Sequence, residues 1–259
     1  MPDSKSRIKL PDYPHIPTFV LLLFCGYVVI WYLQVGYRRP SLGDIRIEYL
    51  WAIGLSVFAL MYTQADTYRN PLMPYLIFYF LVIAIQVPLS QNPGYSQRVF
   101  IDRVIKFAFM AWFIITFVKS PRGLIFFLVT FMLVCMKMGQ EGMVGQLSGS
   151  LVWQNQGVLR LHGSTPMYRH PNSFSGMAVG TLPFIIAFFP IVNKWIKGLF
   201  IVQLFFSVNI ILFTGSRTGW VATLLLLANM FLASKKKIKK IIIAVVVLVI
   251  SVQYIPNEY

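Results

Sequence analysis

The feature that most constrains this chain is a series of apolar runs, each close to bilayer length, with the basic residues gathered in the breaks between them. Nine segments can be drawn, at residues 17–35, 48–65, 71–89, 104–118, 122–138, 173–192, 196–213, 218–234 and 241–254. The runs do not alternate with period two, and a backbone in hydrocarbon must satisfy its own hydrogen bonds, so they are predicted to be helices. Only 12% of residues are charged and 57% are hydrophobic, with a mean hydropathy of +0.68. A soluble domain carries about 25% charged residues. A soluble enzyme, a disordered tail and a fibrous protein are therefore excluded. The predicted fold class is all-α: a polytopic transmembrane helix bundle of about nine spans. A polar tail, residues 1–16, precedes one membrane domain over residues 17–259. With three prolines, that tail does not read as a cleaved signal peptide.

Trp31, Tyr32, Trp51, Trp153, Trp195 and Trp220 fall near segment ends, where amphipathic rings sit at the headgroups. Cys25 and Cys135 lie inside apolar segments without metal-ligand or CxxC spacing, and read as small buried hydrophobes. The formal net charge is +15. Because the basic residues punctuate the spans instead of forming one stripe, they fit topology signals and anionic lipid or phosphate partners, and nucleic acid is not expected. Placing the N-terminus in the cytoplasm puts Lys235 to Lys240 inside as an anchor after the eighth span. It also leaves ten basic residues outside, eight of them arginine, whereas the inner ones are mostly lysine. Arginine's planar fork suits phosphate and diphosphate oxygens, although loop arginines at lipid headgroups fit the same count.

The longest connection is predicted between the fifth and sixth spans, at residues 139–172, rich in Gly, Gln and Asn. It carries Arg160-Leu161-His162-Gly163-Ser164 and, further on, Arg169-His170-Pro171-Asn172-Ser173. Pro171 disfavours a helical His170, so Asn172 or Ser173 is expected to cap the next helix. The cluster reads as the rim of a polar pocket, or as a loop held at the headgroups. The second cluster is Thr214-Gly215-Ser216-Arg217-Thr218-Gly219-Trp220, where Ser216 is placed as the helix cap. A cation in a first helical turn is locally unfavourable unless an anion joins it, so Arg217 reads as an anion ligand; a snorkelling interfacial arginine is the other reading. Arg103 and Lys106, three apart, are predicted to share one helix face and either extend the basic pocket or mark the interface. Arg38 and Arg39 read as loop charges. His162 and His170 lack a third metal ligand, no GxSxG elbow occurs, and Asp44, Glu48, Asp102, Glu141 and Glu258 are scattered, which disfavours hydrolysis by paired carboxylates.

In these two clusters, Arg160-Leu-His-Gly-Ser with His170-Pro-Asn-Ser-Phe leading into a helix, and Thr-Gly-Ser-Arg217-Thr-Gly-Trp opening another, the chain resembles the O-antigen ligase and O-antigen polymerase-like membrane glycosyltransferases of bacteria. The likeness covers roughly residues 70–259. It implies a GT-C-like bundle in the bacterial inner membrane, with the long loop in the periplasm. The implied reaction moves a glycan from an undecaprenyl-diphosphate carrier to an acceptor hydroxyl on lipid A core, another glycan or a protein. It needs no metal or cofactor. By motif position Arg160 and Arg217 are implied to hold the diphosphate and stabilise its departure, with Arg169, His170 and Arg103 as further substrate-binding residues. The family continues past its ninth span into a large periplasmic loop that carries the histidine base; this chain stops at Ile255-Pro-Asn-Glu-Tyr259, so either an incomplete chain or a truncated product that binds carrier lipid without efficient turnover is expected, with the base unassigned. Two other classes compete: a transporter or flippase for lipid-linked precursors, which would show internal repeats around a mid-membrane site, and a non-catalytic subunit.

Overall fold

The computed structural model describes residues 15–63, 73–155 and 157–232. Arg69, the Lys235 to Lys240 anchor, the ninth segment and most of the N-terminal tail lie outside the described residues. In chain order the elements are α1 (Thr18–Tyr32), α2 (Val35–Arg38), α3 (Pro40–Asp44), α4 (Ile47–Tyr62), α5 (Met73–Leu89), α6 (Pro93–Val99), a π-helical stretch (Phe100–Ile105), α7 (Lys106–Phe117) and α8 (Pro121–Leu147). A hairpin follows, β1 (Val152–Asn155) and β2 (Val158–Leu161), then a 3-10 turn (Pro166–Tyr168) and helices α9 (Pro171–Phe188), α10 (Lys194–Phe213) and α11 (Arg217–Leu232).

The chain is mostly helical, and every predicted segment within the described residues coincides with a helix. Helices α8 and α10, of 27 and 20 residues, are long and apolar enough to cross a membrane; α1, α4, α5 and α11 are apolar but shorter.

Local chemistry sets the helix starts. Asn92 accepts from the Tyr95 N–H (3.1 Å), Ser120 from Gly123 (3.1 Å) and Asn193 from Ile196 (3.0 Å), each satisfying a donor that the first helical turn leaves free. Proline follows the cap at Pro93, Pro121 and Pro171, where its missing N–H removes no helical bond.

The described residues fall into two compact units, one within residues 15–31 and 39–130, the other within residues 32–38 and 131–232. In the first unit, Val20, Phe24, Tyr27 and Val28 of α1 are buried together with Ala52, Leu55 and Ala59 of α4 and Met110, Phe113 and Phe117 of α7. Rings interlock there: Phe24 lies 5.4 Å from Phe117, and Tyr27 meets Phe113 edge-on at 5.1 Å. Cys25 is buried and free, as is Cys135 in the second unit.

The core of the second unit joins Cys135 and Met138 of α8, Leu161 of the hairpin, Tyr168, Phe174, Ala178 and Leu182 of α9, and Ile210 and Ile211 of α10. Here the structure corrects the predicted loop, because α8 continues to Leu147 instead of ending at residue 138. Gly139, Gly142 and Gly145 are one packing stripe, not loop residues. A Cβ at Gly139 would meet the Phe206 Cβ at 2.6 Å, and one at Gly142 the Phe174 ring at 2.8 Å. Glycines three apart let aromatic side chains press against the helix backbone, the usual means of close helix contact in membranes.

Candidate functional site

Within the second unit, the hairpin brings the first predicted cluster together. Its strands are antiparallel, with Trp153 directly opposite Arg160, so both side chains leave the same face. Gly157, at φ +81°, makes the reversal. Arg160 is only 8% exposed, and its Nε is buried with no hydrogen-bond partner among the described residues. The Trp153 Nε1 is in the same condition. The Trp153 ring also lies 5.0 Å from the His162 imidazole and 5.9 Å from the Arg169 guanidinium carbon. Arg160, His162 and Arg169 thus gather around one indole. Arg169 itself is exposed.

The next residues carry the path to the second cluster. His170 Nδ1 accepts from the Asn172 N–H at 3.2 Å, so His170 is the cap of α9, and neither Asn172 nor Ser173 is. This Asn172 amide oxygen instead accepts from the Ser216 hydroxyl at 3.0 Å, and Ser216 in turn accepts from the Gly219 N–H at 3.0 Å, capping α11 as its sequence suggests. The N-termini of α9 and α11 are therefore tied side by side, with exposed Arg217 in the first turn of α11. A Cβ on Gly219 would collide with the Ser175 hydroxyl, which is fully buried and makes no hydrogen bond. Two neighbouring helix N-termini place partial positive charge on one side of the unit.

Two corrections concern Arg103 and Arg38. Arg103 belongs to the first unit, where it is exposed on the π-helical stretch. That stretch lacks the α-helical spacing from which a shared face with Lys106 was predicted. Lys106 is instead paired with Glu48 at 2.7 Å and sits 5.0 Å from the Tyr49 ring centre.

Arg38 is not a free loop charge. Its guanidinium grips Glu141 with two bonds, at 2.8 and 2.7 Å, and also donates to the Leu33 carbonyl (2.6 Å) and the Ser164 hydroxyl (3.1 Å). Ser164 donates to Glu141 at 2.5 Å, and Lys137 approaches the same carboxylate at 3.4 Å. Gln34 accepts from the Met167 N–H at 3.1 Å. These bonds clamp the segment between the hairpin and α9. In the same segment, burial pushes the Tyr168 phenol far above its usual value, so it stays protonated and is no base. The i,i+4 spacing of Lys137 and Glu141 was the one local signal of this network; Arg38 lies 103 residues from Glu141, and nothing in the sequence links them.

Charge within this unit is lopsided. Glu141 is the one carboxylate between residues 131 and 232, and Arg38 and Lys137 hold it. Arg160, Arg169 and Arg217 have no acidic partner there. Among the described residues no three His, Cys, Asp or Glu side chains gather as a metal site. The arrangement is chemically suited to holding an anion.

The described residues form a mostly helical chain, with two helices of membrane-crossing length, Arg160 on a hairpin, Arg169 in the loop after it, and two helix N-termini tied together. No protein-family model, curated protein or solved structure matches the chain.

Proposed function

We propose that this chain is a multi-pass membrane protein of the bacterial inner membrane, N-terminus inside, and an O-antigen ligase- or polymerase-like glycosyltransferase. It binds an undecaprenyl-diphosphate-linked glycan on the outer face, and the glycan passes to the hydroxyl of a lipid A core, glycan or protein acceptor. Arg160 and Arg217 hold the diphosphate, Arg169 adds charge over Trp153, and His170 presents the N-terminus of α9. In the transfer, the bond from the anomeric carbon to the phosphate oxygen breaks and one to the acceptor oxygen forms. The acceptor's proton leaves to a base, and the diphosphate departs as an anion that guanidinium and N–H groups stabilise.

The observation that carries this reading is Arg160. A guanidinium is permanently charged, and a buried N–H of such a group left without an acceptor costs about 1–3 kcal/mol or more. Its Nε has no partner, and the unit's one carboxylate between residues 131 and 232 is already committed to Arg38 and Lys137. An anionic ligand relieves that cost. The resemblance of both arginine clusters to the glycosyltransferase family supplies the kind of anion.

The test is binding of farnesyl diphosphate, a short prenyl diphosphate, to the full chain in nanodiscs, alongside glycan transfer in cells. Arg160→Gln is expected to weaken binding by about tenfold or more, the effect of losing a charge-assisted hydrogen bond, and to abolish transfer at unchanged membrane insertion. Wild-type binding and transfer in the Arg160→Gln protein would sink the proposal.

A further inference from the structure

We infer that Trp153 is a second ligand of this anion site, its indole N–H donating to the same phosphate oxygens that Arg160 holds; this rests on the anion-binding reading above.

Six buried side-chain atoms lack a hydrogen-bond partner among the described residues, and two of them differ from the rest in kind. The hydroxyls of Thr165 and Ser175 can rotate to donate or accept, and the unpartnered Gln203 and Asn209 oxygens only accept. The Trp153 Nε1 and Arg160 Nε are donors only, with no lone pair to offer. They are also direct cross-strand partners, so their Cβ atoms stand about 5 Å apart on one face of the hairpin. Buried donors are almost always satisfied in folded proteins. Two donor-only groups placed together cannot satisfy one another. They call for an acceptor with several lone pairs, and the positive charges of Arg160 and Arg169 select an anion over a neutral carbonyl. A phosphate or diphosphate oxygen meets each requirement.

The hairpin supplies the rigidity such a site needs. Four consecutive cross-strand pairs, Val152 with Leu161 through Asn155 with Val158, fix the register, and a slip of one residue would send Trp153 and Arg160 to opposite faces. The tilted His162 ring and the Arg169 guanidinium lie against the indole and limit its rotation. An indole N–H held in place loses little entropy on binding, which favours a specific contact.

The experiment uses the full chain in nanodiscs with two probes, farnesyl diphosphate and inorganic pyrophosphate, measured for wild type, Arg160→Gln and Trp153→Phe. Phenylalanine keeps one aromatic ring beside His162 and Arg169 but removes the second ring of the indole together with its N–H, so the loss of binding is read alongside the indole N–H resonance of the wild type. Binding is expected to fall about tenfold in Trp153→Phe, as for a lost hydrogen bond to a charged group. In wild type labelled with nitrogen-15 at its indoles, the resonance missing from the Trp153→Phe spectrum should move on adding ligand, a readout that packing alone does not produce. Tighter binding of the prenyl form than of pyrophosphate assigns a lipid-borne anion, and equal binding assigns a free one; either supports the contact. Weakening by Arg160→Gln but not by Trp153→Phe, with an unmoved indole resonance, overturns the role of Trp153 and leaves the anion site standing. Full binding in Arg160→Gln removes the anion site itself, and this inference with it.

Discussion

Replacing Gly219 with alanine tests how α9 and α11 are joined, and the sign of the effect decides the matter. In a helix, alanine is favoured over glycine by about 1 kcal/mol, so in open space the change would stabilise the protein. Gly219 is not in open space. The new Cβ would collide with the Ser175 hydroxyl and lie 2.9 Å from the Ser175 Cβ. Rotating Ser175 moves its oxygen but leaves its Cβ, which the backbone of α9 fixes. The helices must part, at an overpacking cost of about 1–3 kcal/mol. Parting also stretches the Ser216 to Asn172 bond, now 3.0 Å, worth about 1 kcal/mol. The net expectation is a loss of about 1–3 kcal/mol after the helix-propensity gain. At about 2–4 °C per kcal/mol for a chain of this size, that lowers the melting temperature by several degrees.

The double change Ser175→Gly with Gly219→Ala sharpens the test. Removing the Ser175 side chain clears both close atoms, and the next neighbour of the new Cβ is the Ser216 Oγ at 3.4 Å, an ordinary contact. Ser175 makes no hydrogen bond to lose, so the double variant gives up only the helix cost of a new glycine, about 0.5–1 kcal/mol. It should be more stable than Gly219→Ala alone, with a favourable coupling of at least about 1 kcal/mol. Thermal unfolding of the purified protein in detergent, followed by loss of helical circular dichroism, reads all four proteins. Gly219→Ala at or above wild-type stability, or purely additive single changes, would show that the two helix N-termini do not touch as described.

Glu141→Gln removes the charge that Arg38, Lys137 and Ser164 share; it should cost about 1–3 kcal/mol and raise protease cleavage within residues 162–168, and an unchanged cleavage pattern would refute the clamp. Ser207→Ala withdraws the hydroxyl that lies 2.9 Å from Thr181 and accepts from Gln203 at 3.2 Å, all three side chains being buried. A buried side-chain hydrogen bond is worth about 0.5–1.5 kcal/mol, so a melting point lower by a few degrees is expected, and no change at all would mean the three groups find other partners.

Much of the helix plan is legible in the sequence, because apolar run length and cap chemistry are local. Ser216 shows this: a serine at the head of an apolar run caps α11 as local rules expect. At α9 the rule places the boundary but not the capping atom. Pro171 sets the start, yet His170 supplies the cap and Asn172 turns to Ser216, 44 residues away. The glycines at 139, 142 and 145 mislead for a related reason. Glycine signals a loop, but it also permits close packing against a helix, and only the presence of Phe206, Phe174 and Leu151 against these three decides which. The hairpin is hidden as well. Four-residue strands are short beside the apolar runs, and the pairing of Trp153 with Arg160 is a property of register, not of either residue. Arg160, Arg169 and Arg217 stand out as types in the sequence, whereas Trp153, which Arg160 faces and Arg169 overlies, stands out only once the chain is folded.

The pairing of Arg38 with Glu141 gives the arginine cluster its meaning. A basic loop with several carboxylates nearby would neutralise itself, and its arginines would then be structural. In this unit the carboxylate of residues 131–232 is spent on Arg38, a residue far away in sequence, and on Lys137 in its own helix. That bond fastens Ser164 and the segment following the hairpin, so the same contact that shapes the loop also denies its arginines an internal partner. Burial of most of the Arg160 side chain, its Nε included, lessens the screening of its charge by water and so strengthens the interactions it makes. A fixed loop, a largely buried arginine, a donor-only neighbour and two helix N-termini are each chemically suited to a multiply charged oxygen ligand.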